Sequence, residues 1–470
     1  MNNIVLFVKS KHPFLIVFII AVLVRAMLNF SIPLVPGLGG GYNLVQIRAV
    51  LESGRLALPD MPWLFYLNAI IIKVFLLLFP GSDAESMIII VSKLIDTVGF
   101  PLLLYPLYLI QKNLIRNNLP PSFLLAIAAF SVLSYAPLDL ACDAQKNSLG
   151  LVLMTFFIYF FLCSLEYRKG KDIMLSSLFL ILTALAHFGV FFTTLCFVVI
   201  ALIVYFRWKA VLPVIGVLTI GMLLVAVFDP SRALSMLTFW QEAFSIFVSP
   251  RLMYYPFGVL NFIFSFLLAW FMIRALRKRR SEMKHGERNV LLVLLFFILI
   301  LAFPFYGFEY GRRLGLMLFI PQSLALLFLY PCFSKRAVVV ISYVVLGFVV
   351  LSVSLRLIHP KPMAITGESY ADMQQLKSEI EDPGSTIIYA RHGLEWWVAW
   401  ELRVKIASPH IEVNDALMQK YDQIFFLVQK KGENLIYPGK TSIFQKPMPP
   451  ENSDLVYDSE YFVMYVLNAD

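Results

Sequence analysis

Hydrophobic and polar positions in this chain are sorted into long apolar blocks separated by short charged stretches. A helix needs about 20 apolar residues to cross roughly 30 Å of hydrocarbon. Blocks of that order lie at 13–30, 87–110, 121–136, 149–165, 173–188, 190–206, 211–228, 257–273, 290–305, 314–330 and 338–357. The pattern predicts about eleven membrane spans. The block at 62–80, PWLFYLNAIIIKVFLLLFP, is apolar and nearly long enough to be a twelfth.

Charge decides how that block is read. Lys and Arg concentrate in cytoplasmic loops, and Lys9 and Lys11 precede the first block. If 62–80 crossed the bilayer, QKNLIRNN (111–118), EYRKGKD, RWK, RALRKRRSEMKHGER and SKR would all face outward. If it only dips into the outer leaflet, these basic loops all face the cytoplasm. Lys73 then avoids the bilayer centre, where a charge costs about 3 kcal/mol. The expected topology is a cytoplasmic N-terminus and an external C-terminus, in a multi-pass protein of the plasma (inner) membrane.

The external side then holds a long first loop (31–86), a short loop PLDLACDAQKNS (137–148), a loop at 229–256 and everything after Arg356. Within the first loop, YNLVQIRAVLESG places Leu44, Ile47, Val50 and Leu51 opposite Gln46, Arg48 and Glu52, a short amphipathic surface helix ended by Gly54. From residue 358 the pattern changes to that of a soluble domain. ADMQQLKSEIED and GLEWWVAWEL read as helices, STIIYA and DQIFFLVQ as strands, and DLVYDSEYFVMYVL as a hairpin at Asp458-Ser459. The fold class predicted is an α-helical polytopic membrane protein (1–357) with a small external α/β domain (358–470).

Composition agrees with this reading. Of 470 residues 59% are hydrophobic and 15% charged, against roughly 45–50% and about 25% in soluble domains. The net charge of +9 would suggest nucleic acid in a soluble protein; here it is mostly a topology signal, and no nucleic-acid partner is expected. Of four cysteines only Cys142 is placed externally, so no disulfide is predicted.

Several stretches together resemble the GT-C glycosyltransferases: oligosaccharyltransferases, protein O-mannosyltransferases and aminoarabinose transferases. A first span leads to an external loop with a surface helix, the stretch GRLALPDMP (54–62) and an apolar dipping helix. CDAQKNSLGLVLMTFFIYFFL (142–162) is similar to the family's entry into a membrane helix. LTALAHFG (182–189) resembles its helix ending in an external His, and GFEYGRRLGLMLFIPQSLALLF (307–328) its late Arg-Leu…Pro helix. The resemblance implies transfer of a sugar from a polyprenyl-phosphate carrier to a lipid, glycan or protein acceptor on the external face, with inversion. Family members usually carry an acidic residue soon after the first span. This chain reads PGLGGGYN (36–43) there, without Asp or Glu.

Such a transfer needs a carboxylate to take the acceptor's proton and cations to neutralise the leaving phosphate. Carboxylates near the external face are Glu52, Asp60, Asp139, Asp143 and Glu309. Asp60, between the surface helix and the dipping helix, is the expected base; the plainer alternative is a cap on the next helix. Asp139 and Asp143 suit a divalent cation as hard oxygen ligands, or else cap the helix beginning near Asn147. Arg48, Lys146, Arg312, Arg313 and His187 are the expected donor-phosphate ligands, Arg gripping phosphate with two parallel hydrogen bonds. The alternatives are an ion pair of Arg312 or Arg313 with Glu309 and a buried, satisfied His187. Trp396, Trp397 and Trp400 cannot share one helix face, so at least one is expected at an exposed or interface position. Two further readings stay open: a GT-C-like protein that binds lipid-linked glycan without catalysis, and a secondary transporter. Against the second, the loops show no two matching halves.

Overall fold

The computed structural model describes residues 2–115, 118–206, 256–278, 283–304, 306, 308–359, 361, 363–409, 411, 413–432 and 446–467, with 212, 216 and 219. The side chains of 2–12, 256–258 and 308–310 lie outside this description, as do nearly all of the span expected at 211–228 and of the loop at 229–256. Among the described residues seven helical stretches are long and apolar enough to cross a membrane: Ala84–Asn113, Pro121–Asp139, Gln145–Tyr167, Phe188–Phe206, Val259–Lys278, Gly311–Cys332 and Lys335–Ile358. Pro13–Asn29 and Trp63–Leu78 are shorter apolar helices. The chain is a multi-pass membrane protein.

The elements are α1 (Asn2–Asn29), α2 (Gly40–Ser53), α3 (Trp63–Leu78), α4 (Ala84–Gly99), α5 (Leu104–Asn113), α6 (Pro121–Leu133), α7 (Tyr135–Asp139), α8 (Gln145–Tyr167), α9 (Gly170–Ala186) and α10 (Phe188–Phe206). They continue with α11 (Pro256–Lys278), α12 (His285–Leu301), α13 (Phe308–Gly315), α14 (Phe319–Leu329) and α15 (Lys335–Ile358). The C-terminal chain adds α16 (Gly367–Gln375), β1 (Thr386–Tyr389), α17 (Leu394–Leu402), β2 (Lys405–Ala407), α18 (Asp415–Met418), β3 (Gln423–Gln429), β4 (Ser453–Asp458) and β5 (Phe462–Leu467). The contacts divide these into two compact units: 1–24, 98–140 and 146–356 form one, and 25–97, 141–145 and 357–470 the other.

The first unit is a helical bundle. α12 packs on α10, α11 and α14, and α14 on α6. Phe197 and Phe297 meet edge-to-face at 5.3 Å in its core. Helices in lipid gain from polar contacts between them, and here Gln322 donates to the Asn261 side-chain oxygen at 2.7 Å and to the Ser265 hydroxyl at 2.9 Å.

In the second unit the sheet order is β2-β1-β3-β5-β4. β1 runs parallel to β2 and β3, while β3, β5 and β4 are antiparallel. Ile387, Tyr389, Ala407, Ile424 and Phe426 form one buried face, packed by Val413, Leu417 and Tyr421. Ile388, Phe425 and Leu427 are buried on the other. A strand buried on both faces reads as a continuous apolar run, as TIIY and QIFFLVQ do. The C-terminal chain does not pack alone, because α2 of the first loop lies against its helix α17. α2 is therefore not a simple surface helix. It ends at Gly54 in left-handed conformation, as its glycine requires, but Gln46 and Arg48 are buried along with Leu44 and Ile47. α3 is 16 residues long and leaves Ile70, Val74, Leu77 and Leu78 exposed.

Candidate active site

Asp60 sits in the turn between α2 and α3. The cap position of α3 is Pro62, and no side chain caps that helix. Instead one Asp60 oxygen accepts the Met61 amide at 2.7 Å, and the other accepts the Tyr42 hydroxyl. Gln46, one turn along α2, donates to the Tyr42 oxygen at 2.9 Å and to the Leu58 carbonyl at 3.0 Å. Its own carbonyl accepts the Leu58 amide at 3.2 Å. Burial, then the hydrogen bond to Asp60, pushes the Tyr42 hydroxyl well above its ordinary value, so it remains a donor at any physiological pH. The Tyr42 ring lies edge-on to Trp396 of α17 at 4.9 Å and to Phe65 of α3 at 6.0 Å. Asp60 itself is half-buried.

The glycine-rich loop after α1 has its own carboxylate, supplied from elsewhere in the sequence. The Gly39 amide donates to Asp143 at 2.6 Å, and the Lys361 ammonium lies 3.7 Å from its second oxygen. Gly37 has φ +95, and a Cβ there would fall 2.5 Å from the Asp143 Cβ. Only glycine suits both the conformation and the space. The turn that presents Asp143 is pinned one residue earlier. Cys142, at φ 71, donates its amide to Asp96 at 3.0 Å. Asp96 in turn takes Arg25 at 2.8 Å and the Asn29 amide at 3.0 Å.

Arg48 is not placed to grip a phosphate. Its guanidinium donates to the Trp400 carbonyl at 2.6 Å and the Ala399 carbonyl at 2.8 Å, and it stacks 4.6 Å from the Trp400 ring. It thus caps the C-terminal end of α17, where carbonyls lack helical partners. Burial lowers its pKa. The tryptophans follow suit: Trp397 and Trp400 are buried, and Trp396 is half-buried against Tyr42.

In the helical unit Asp139 receives Arg356 at 2.6 Å and lies 3.9 Å from Arg312. Arg313 is exposed, and Lys146 is partly exposed in the first turn of α8. Glu309 falls in α13, but its side chain is outside the described residues. His187 ends α9 in extended backbone and accepts the Val190 amide on Nδ1 at 3.1 Å, capping α10. An accepting Nδ1 puts the proton of the neutral ring on Nε2.

Asp139 thus lies beside Arg356 and Arg312, and Asp143 beside Lys361. Among the described residues no group of three or more His, Cys, Asp or Glu could hold a metal. Sequence reading missed Tyr42, Gln46, Lys361 and Arg356. The Tyr42–Gln46 spacing of four residues was the one available signal, since it puts both on one helix face.

The polytopic bundle, the first-loop helices and the C-terminal sheet together make a fold that recurs among solved membrane proteins. Among solved structures, the chain is similar to ArnT from Cupriavidus metallidurans bound to undecaprenyl phosphate, with TM-score 0.55 and 13% identity over 98% of each chain. The apo state of the same protein aligns with TM-score 0.49 and 13% identity over 99% of this chain and 98% of that one. No family model and no curated protein matches the chain.

Proposed function

We propose that the chain is a membrane glycosyltransferase that moves a sugar from a polyprenyl-phosphate donor to a lipid, glycan or protein acceptor on the external face. The observation that carries this is the fold shared, over 98% of its length, with an enzyme structure bound to undecaprenyl phosphate. In the reaction the acceptor hydroxyl attacks the anomeric carbon and passes its proton to Asp60. The bond from that carbon to the phosphate oxygen breaks, and polyprenyl phosphate leaves with the electron pair. A single displacement inverts the anomeric centre. Arg312 and Arg313 are assigned to the phosphate, with Lys146 and the Nε2–H of His187 as further donors. The basic loops support a cytoplasmic N-terminus and an external C-terminal chain.

The protein in lipid nanodiscs is expected to bind undecaprenyl phosphate, and Arg312→Ala to weaken that binding. With a panel of undecaprenyl-phosphate sugars, Asp60→Asn should slow release of undecaprenyl phosphate by about 100-fold or more, the scale of a lost general base. Wild-type protein that fails to bind the lipid overturns the reading; binding without transfer by the whole panel favours a non-catalytic glycan-binding protein. One observation supports a second assignment of the base. The first-span loop closes on Asp143 rather than carrying a carboxylate of its own. If Asp143→Asn abolishes transfer and Asp60→Asn does not, Asp143 is the base.

A further inference from the structure

The C-terminal chain reaches the proposed base. We infer that Tyr42 is a positioning residue for Asp60, and that Trp396 of α17 holds Tyr42 in place, so that the C-terminal domain sets the geometry of the base. This rests on the assignment of Asp60 above.

The sequence Gly40-Gly41-Tyr42 makes the contact. A Cβ on Gly41 would fall 2.9 Å from the Trp396 carbonyl carbon and 2.9 Å from the Trp397 nitrogen. With hydrogen there, the Trp396–Trp397 peptide lies directly on α2, and the indole of Trp396 meets the next residue's ring edge-on at 4.9 Å. In that position its hydroxyl meets both Gln46 and Asp60. Aromatic pairs of this geometry contribute beyond their buried area, and a hydrogen bond to a carboxylate favours its charged form.

The carboxylate accepts the Tyr42 hydroxyl of α2, itself backed by Gln46, and the Met61 amide before α3. Charged residues of α2 and α17 have partners of their own, and Lys73 of α3 is exposed. Arg48 holds the end of α17, Glu395 pairs with His392 at 3.0 Å, and Glu401 pairs with Lys377 at 2.5 Å.

The test reads Asp60 directly, without a sugar donor. Infrared difference spectra of the full chain in nanodiscs, recorded across pH 3 to 8, identify the Asp60 carboxyl band as the one absent from Asp60→Asn. Tyr42→Phe keeps the ring against Trp396 and removes only the hydroxyl. It should raise the protonation midpoint of that band by about one pH unit, the scale of one lost hydrogen bond to the charged form. Trp396→Leu should shift it in the same direction by less. In turnover, both variants should lower kcat with KM little changed. Undecaprenyl phosphate binding equal to wild type confirms that each variant is folded. An unmoved midpoint in folded Tyr42→Phe overturns the positioning role, and a shift in Tyr42→Phe with none in Trp396→Leu overturns the role of the C-terminal domain. If the midpoints move but Asp60→Asn transfers sugar normally, the positioning stands and the assignment of the base falls.

Discussion

Asp96 and Asp60 are both carboxylates of the second unit, and their surroundings differ in kind. Asp96 and its partner Arg25 have side chains with no solvent exposure, and its oxygens take Arg25, Asn29 and the Cys142 amide. Asp60 is half-buried and is steadied by a hydroxyl and by the amide of its own turn. A sealed carboxylate joins segments of chain, here the end of α1, α4 and the turn before α8. A half-buried one keeps part of its surface open to solvent. The contrast teaches that two residues of one type can differ completely in burial and partners, which is why Asp60 rather than Asp96 is the one proposed as a base.

Arg25→Met tests the sealed end of the comparison most severely. It strands a buried carboxylate, and a loss of about 3–5 kcal/mol is expected in detergent-titrated unfolding. The double variant with Asp96→Leu should recover part of that, because no charge remains to be compensated. Asp60→Asn should leave the same unfolding curve nearly unchanged.

Arg48→Ala comes next. It removes the donors to two carbonyls at the end of α17, an expected loss of about 1–3 kcal/mol, while undecaprenyl phosphate affinity stays at the wild-type value. Reduced lipid affinity in a folded Arg48→Ala protein would return Arg48 to the phosphate. Gly41→Ala should cost about 1–2 kcal/mol by forcing α17 away from α2, and should lower turnover together with stability.

The smallest effect is acid sensitivity at Glu401. Burial acts to raise its carboxyl pKa, but the hydrogen bonds and charge of Lys377 and the Tyr370 hydroxyl outweigh it, and the group lies below its ordinary value of 4.5. A depressed folded pKa means the contribution is present above about pH 4.5 and lost as pH falls through the folded value. Lys377 is largely exposed, so under about 1 kcal/mol is expected. Melting of Lys377→Met should approach that of wild type as pH drops from 6 to 3.

Much of the fold was legible because periodicity reports burial. The strands TIIY and QIFFLVQ, the hairpin at Asp458-Ser459 and the helix ended by Gly54 all stand where the pattern puts them. β2, three residues long, carries too little pattern to be seen. The site was less legible because its contacts are remote in sequence. Asp60 stands out in the sequence for its place between helices, but the Tyr42–Trp396 contact beside it does not. Arg48 looked like a phosphate ligand because a helical wheel does not show what covers a polar face. The glycines at 37–41 looked like an absence of chemistry. In three dimensions they are the space that Asp143 and α17 occupy.

The contact between α2 and α17 also fixes an order of events during biogenesis. Arg48 and the Trp400 carbonyl are separated by 352 residues. At about 5–20 residues per second, a ribosome needs roughly 20 to 70 s to make that stretch. Throughout that interval α2 waits with its polar face uncovered while helix after helix is inserted behind it. The packing of α2 is therefore completed only after residue 400 has been made, so the fold around the first loop closes late in synthesis.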